Sequence, residues 1–79
     1  MKTKYEDIHF VKVADNANNP ETSVWSCLNN KNSLDLGTVM WHDRWRQYCF
    51  FPRSYMAFSM RHLVDIQNFI KQLMEERKP

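Results

Sequence analysis

An α+β domain, with an antiparallel β-meander of three to four strands packed against one C-terminal α-helix, follows from three features of the sequence. Short runs between residues 7 and 51 alternate apolar and polar positions, residues 59 to 77 repeat apolar positions at helical spacing, and Asn- and Pro-bearing segments punctuate the early runs. Such a helix laid across the meander closes one core. At 79 residues the chain accommodates a single domain, 1-79, and its 43% hydrophobic and 14% aromatic content excludes a disordered or low-complexity segment.

The first strand is expected at about 7-13, where Ile8, Phe10, Val11 and Val13 stand among polar residues. Asn16, Asn18, Asn19 and Pro20 then read as a loop, because Asn and Pro favour turns over strand ladders. A second strand is expected at about 23-29, followed by the hairpin connection Asn29-Asn30-Lys31-Asn32-Ser33. The third strand (about 35-41) and fourth (about 45-51) are joined by a connection without glycine. A four-residue loop, His42 to Trp45, built on a type I turn is therefore expected.

That loop pairs Trp41 with Arg46, Val39 with Tyr48 and Gly37 with Phe50. It assigns Gly37, Val39, Trp41, Arg46, Tyr48 and Phe50 to one face, and Thr38, Met40, Gln47, Cys49 and Phe51 to the other. The first set is more apolar and is assigned to the core. Arg46 is expected to stack on Trp41, and the Phe50 ring to cover the backbone left bare at Gly37.

The helix, about 59-77, carries Met60, Leu63, Val64, Ile66, Phe69, Ile70, Leu73 and Met74 as a stripe broader than a lone surface helix needs. Ser59 is its expected N-cap and Phe58 a staple onto Leu63. His62 stands where a capping box wants Glu or Gln, so the cap is expected to be incomplete. Arg77 and Lys78 are expected to complement the negative end of the dipole.

Chemistry narrows next. A single glycine, Gly37, leaves no phosphate-cradling loop or nucleophile elbow, and His9, His42 and His62 are dispersed without metal-ligand spacing, with His42 read as a loop residue. Cys27 and Cys49 are too few for a disulfide scaffold and read as reduced packing groups. No enzymatic activity, metal or cofactor is expected. The N-terminal residues lack the apolar core of a signal peptide and no run reaches membrane-spanning length, which favours a cytoplasmic protein without a membrane partner.

Charge is unevenly distributed. Met1 to Val39 carries −1, Met40 to His62 carries +3 through Arg44, Arg46, Arg53 and Arg61, and the remainder is neutral. The segment Trp41 to Arg53 interleaves these arginines with aromatics, a combination suited to stacking and to phosphate or carboxylate recognition. The candidate surface is Met40, Arg44, Trp45, Gln47, Phe51 and Arg53, on the sheet face turned away from the helix and on the adjoining loop.

Gly37 with Trp41, the run Trp45-Arg46-Gln47-Tyr48-Cys49-Phe50-Phe51-Pro52, and Phe58-Ser59 leading into Leu63, Ile66, Phe69 and Ile70 resemble a group of small uncharacterised single-domain proteins of bacterial, phage and mobile-element genomes. The resemblance covers roughly Leu36 to Leu73. It implies a compact domain in a mobile-element context and supplies no active site; His42-Asp43-Arg44 departs from the Gly/Pro-containing turn of that group. The order of elements also resembles the arm-DNA-binding domains of tyrosine recombinases, which implies a sheet face turned towards the DNA major groove.

The expectation from these readings is a small non-enzymatic binding or interaction module with a protein partner. The alternatives are a DNA-binding domain using the sheet face opposite the helix, and a homodimeric accessory subunit. The helix stripe could serve a partner helix instead of the sheet.

Overall fold

The computed structural model describes residues 1–77 of the chain. Strands β1 (Ile8–Asp15), β2 (Ser23–Asn29), β3 (Asp35–His42) and β4 (Gln47–Pro52) form one antiparallel sheet in that order, and helix α1 (Met60–Glu76) packs on one of its faces. Strand alternation explains which face. Ile8 and Phe10 of β1, Cys27 of β2, Val39 and Trp41 of β3 and Tyr48 of β4 are all buried, and they meet Ile66, Phe69 and Leu73 of α1 in one cluster. Burying side chains of this size contributes about 1.5–3 kcal/mol each.

Aromatic geometry locates the centre of the core. Phe69 stacks on Phe10 with ring centroids 3.9 Å apart and takes the edge of Trp25 at 5.1 Å. Trp41 and Tyr48 meet edge to face at 5.5 Å. The Tyr48 hydroxyl accepts from the Ser23 amide at 3.1 Å, which ties β4 to the start of β2 across the sheet.

The expected core face of the β3–β4 pair is the buried one, but the register differs. Trp41 pairs with Tyr48, Val39 with Phe50 and Gly37 with Pro52, because the loop is Asp43 to Arg46 and His42 remains in the strand opposite Gln47. Arg46 takes the left-handed conformation (φ 58°) that ends the loop, with its amide donating to the His42 carbonyl at 2.8 Å. The loop moves by one residue and the pairing sum by two, so every side chain keeps its face.

Arg46 consequently leaves the sheet, and the cation over Trp41 is Arg77, with its guanidinium carbon 4.0 Å from the ring centroid. Arg77 is thus held by the sheet instead of serving the last turn of the helix, which has no basic residue. Lys78 lies outside the described residues. Phe50 does cover Gly37, reaching it diagonally from opposite Val39.

Two bulges shape the sheet. Between Cys27 and Leu28 the pairing shifts from Gly37 to Asp35, and the extra residue, Leu36, is buried in the core cluster. A second shift between Lys12 and Ala14 isolates Val13 on the free edge of β1. In the β2–β3 turn, Asn29 and Asn32 accept from the amides of Lys31 and Leu34, as expected of Asn, while the left-handed residue is Ser33 (φ 57°).

The N-cap is more complete than its residue types suggest. Ser59 Oγ accepts from the His62 amide at 3.4 Å, and His62 Nδ1 accepts from the Ser59 amide at 3.0 Å, so an imidazole closes the capping box. Phe58 packs edge to face on Phe50 at 5.2 Å, and Leu63, its expected partner, stands half exposed.

An element absent from the sequence reading is the N-terminal strap. Thr3 accepts from the Phe10 amide and Tyr5 donates to Ile8, folding residues 3–5 against the edge of β1. Gln72 of α1 accepts from the Lys2 amide at 2.8 Å and donates to the Lys2 carbonyl and the Tyr5 hydroxyl, each at 2.9 Å. Arg61 of α1 clasps Asp7 through two nitrogens, the closest contact being 2.6 Å.

Candidate binding surface

With α1 on one face, the opposite face of the sheet is turned to solvent. Register places Val11, Ser26, Thr38 and Phe51 in one row across all four strands, with His9 beside Leu28 and Met40 beside Cys49. Asp35, opposite Leu28, brings one carboxylate to the end of this face, where it pairs with Arg53; the other side chains carry no lysine, arginine or carboxylate. It is an apolar-to-weakly-polar surface of the kind that marks a contact site on a small domain.

Its most ordered feature is a ladder of three rings. His42 lies between Trp45 and Phe51, with centroids 4.6 Å from Trp45 and 6.1 Å from Phe51 and near-parallel planes on both sides. The Trp45 amide donates to His42 Nδ1 at 3.1 Å, so the loop backbone sets the orientation of the imidazole. Trp45 remains 63% exposed and Phe51 38%. A tryptophan stacked on a neighbouring ring yet left open to solvent presents a large, amphipathic contact area.

The six candidate residues divide accordingly. Trp45 and Phe51 belong to the ladder, Gln47 is exposed opposite His42, and Met40 is half-buried opposite Cys49. Arg44 is exposed in the loop. Arg53 lies at the far end, just beyond β4, where it bonds Asp35 Oδ2 at 2.9 Å and Thr38 Oγ1 at 3.4 Å. His42 was missed because a loop was expected to begin there. Val11 and Leu28 were missed because only the β3–β4 hairpin had an arguable register.

The arginine cluster of the sequence is dispersed in space. Arg53 is paired with Asp35, and Arg61 with Asp7 and Glu6, which raise its pKa. Among the described residues, Arg44 and Arg46 form no ion pair. They flank Trp45 at the loop tip.

Open grooves lie elsewhere, including one of about 230 Å³ bordered by Lys12, Glu21, Tyr48 and Glu76. A larger one, of about 450 Å³, is bordered by Asp7, Asn30, Arg61 and His62, but these groups bond each other or the strap: Asn30 donates to the carbonyls of Tyr5 and Glu6 and meets His9 at 2.6 Å. A third, about 480 Å³, lies between Lys2, Tyr5, Met60 and Val64. Burial pushes the Cys27 thiol up to about 12, with Asp35 adding in the same direction, and raises Cys49 as well. The buried Cys27 thiol is held protonated.

No helix among the described residues is long and apolar enough to cross a membrane. The chain matches no protein-family model and no solved structure. It is 41% identical over 51 residues to an uncharacterised 9.3 kDa protein of Acholeplasma phage L2. The match covers 65% of this chain and spans 65% of the length of that phage protein.

Proposed function

We propose that the chain is a non-enzymatic binding module that engages a protein partner through the outward sheet face and the β3–β4 loop. The observation that carries this reading is the ring ladder Phe51, His42 and Trp45, ordered by its own stacking and open to solvent. Met40 and Gln47 border it, supplying an adaptable apolar contact and an amide for backbone recognition. The similarity to a small phage protein supports a mobile-element setting for the module.

A protein partner is favoured over nucleic acid because Arg53 and Arg61 are engaged by carboxylates, leaving only Arg44 and Arg46 beside the ladder. Phosphate binding draws on a broader basic face.

Photo-crosslinking tests the reading. With p-benzoylphenylalanine at Gln47, discrete heteromeric adducts are expected in host-cell extract, and none from the same probe at exposed Asn68 of α1. The adducts should disappear when Trp45→Ala and Phe51→Ala are combined. Equal adducts from both positions would overturn the sheet-face assignment. In parallel, amide NMR spectra should be unmoved by a mixed-sequence DNA duplex at low salt; salt-reversible shifts across Met40 to Arg53 would favour nucleic acid instead.

A further inference from the structure

The breadth of the helical stripe leaves an apolar flank on α1 that the sheet uses only at its edge, where Ile70 packs on the core and Met74 Sδ accepts from the Tyr48 amide. Met60 is 82% exposed, Leu63 and Val64 about half, and Met74 36%, although all four are apolar residues of a helix that already buries Ile66, Phe69 and Leu73. The flank has an internal symmetry. Gln67 lies seven residues from both Met60 and Met74, and Leu63 and Val64 on one side are mirrored by Lys71 and Ile70 on the other. Spacings of three and four residues hold this set on one side of a helix.

We propose that this flank is the contact of a homodimer, in which two copies of α1 pair antiparallel about a two-fold axis beside Gln67. A two-fold interface must be self-complementary. Here Met60 would meet Met74 of the partner, Leu63 and Val64 would meet Ile70 and the aliphatic stem of Lys71, and Gln67 would meet its own copy. A primary amide both donates and accepts, so two facing glutamines satisfy each other. A polar group at the centre of an apolar seam also selects one register over its neighbours.

Charge on the helix fits the same arrangement. α1 has no acidic residue in its first turn and no basic residue in its last, while Glu75 and Glu76 stand at the end where its own dipole disfavours them. Antiparallel pairing brings the Glu75 carboxylate alongside the positive N-terminal turn of the other copy. Self-association by strand addition is opposed at both edges. The strap and the Val13 bulge interrupt the free edge of β1, and on β4 the Tyr48 amide is taken by Met74 Sδ at 3.3 Å while Pro52 has no donor.

The seam extends about 25 Å for a helix of 17 residues. It lies on the opposite layer from the ring ladder. Failure of either proposal therefore leaves the other standing.

Sedimentation of the full chain from micromolar to millimolar concentration should show the mass rising from 9.6 kDa towards twice that value. Leu63→Glu should shift the midpoint at least tenfold upward without altering the melting temperature at concentrations where both proteins are monomeric, since Leu63 is half exposed. With Cys49→Ser as background, Gln67→Cys should oxidise to a disulfide-linked dimer. Met60→Cys should not, because two-fold pairing separates the two copies by about 21 Å along the helices. A monomer at millimolar concentration overturns the proposal. So does a dimer indifferent to Leu63→Glu, self-crosslinking at Met60 in place of Gln67, or Asn18→Cys crosslinking as fast as Gln67→Cys.

Discussion

A Cβ added at Gly37 would lie 2.5 Å from Phe50 Cζ and 2.7 Å from the Phe51 carbonyl oxygen. Since Gly37 does not have positive φ, space and not backbone conformation demands the glycine there. Gly37→Ala should destabilise the fold by about 1–3 kcal/mol through overpacking, lowering the melting temperature by several degrees. Because one of the close atoms belongs to the backbone, the cost of Gly37→Ala should be smaller in a Phe50→Ala background but should not vanish. The residue's role was legible, as glycine beside aromatics in a strand invites a covering ring. Arg46 was not legible: a one-residue movement of the loop sent it into the left-handed region, and Arg77, 36 residues from Trp41 in the chain, took the place over the indole. Likewise, the capping box was read as incomplete because His is outside the usual residue pair, although Nδ1 offers the same acceptor.

At the scale of elements, the strands and helix were legible because periods of two and 3.6 are local properties of the sequence. The strap was not, since its stability rests on pairs such as Lys2 with Gln72, which leave no periodic trace. Gln72→Ala removes the clamp on Lys2 and Tyr5, and three hydrogen bonds with it. Hydrogen exchange should then accelerate about tenfold at the Phe10 amide, whose acceptor is Thr3, with little change at the β2–β3 amides. Unchanged protection at Phe10 would show that the strap holds without Gln72. The ring ladder is likewise partly legible: Trp45 and Phe51 stand out by type and position, while His42 joins them only once the true loop boundary is known.

For the whole molecule, a buried thiol at the centre couples stability to alkalinity. Cys27 has its pKa raised from 9.0 to about 12 by burial first and by Asp35 second. Below the lower value both folded and unfolded chains keep the proton, so the contribution is fully present. Above it the unfolded chain ionises while the folded one does not, and stability falls as pH rises towards 12. The stability difference between wild type and Cys27→Ala should therefore narrow from about pH 9 upward, read as the gap in denaturation midpoint at successive pH values. A gap constant from neutrality to about pH 11 would show that the thiol is not held neutral. Tyr5 is raised too, chiefly by burial, but it is common to both proteins and cancels in the comparison.

The clamp between Lys2 and Gln72 also decides where the chain enters and leaves the domain. The second residue lies against a helix that stops only a few positions beyond its partner, so the two ends emerge near each other. Such a unit can be spliced into a surface loop of another protein without prising that loop apart. It can equally be rewired by joining its ends with a short Gly-Ser linker and opening a new start in the Asn-rich connection after β1. A passenger fused at either end would project from the same region and leave the ring ladder uncovered.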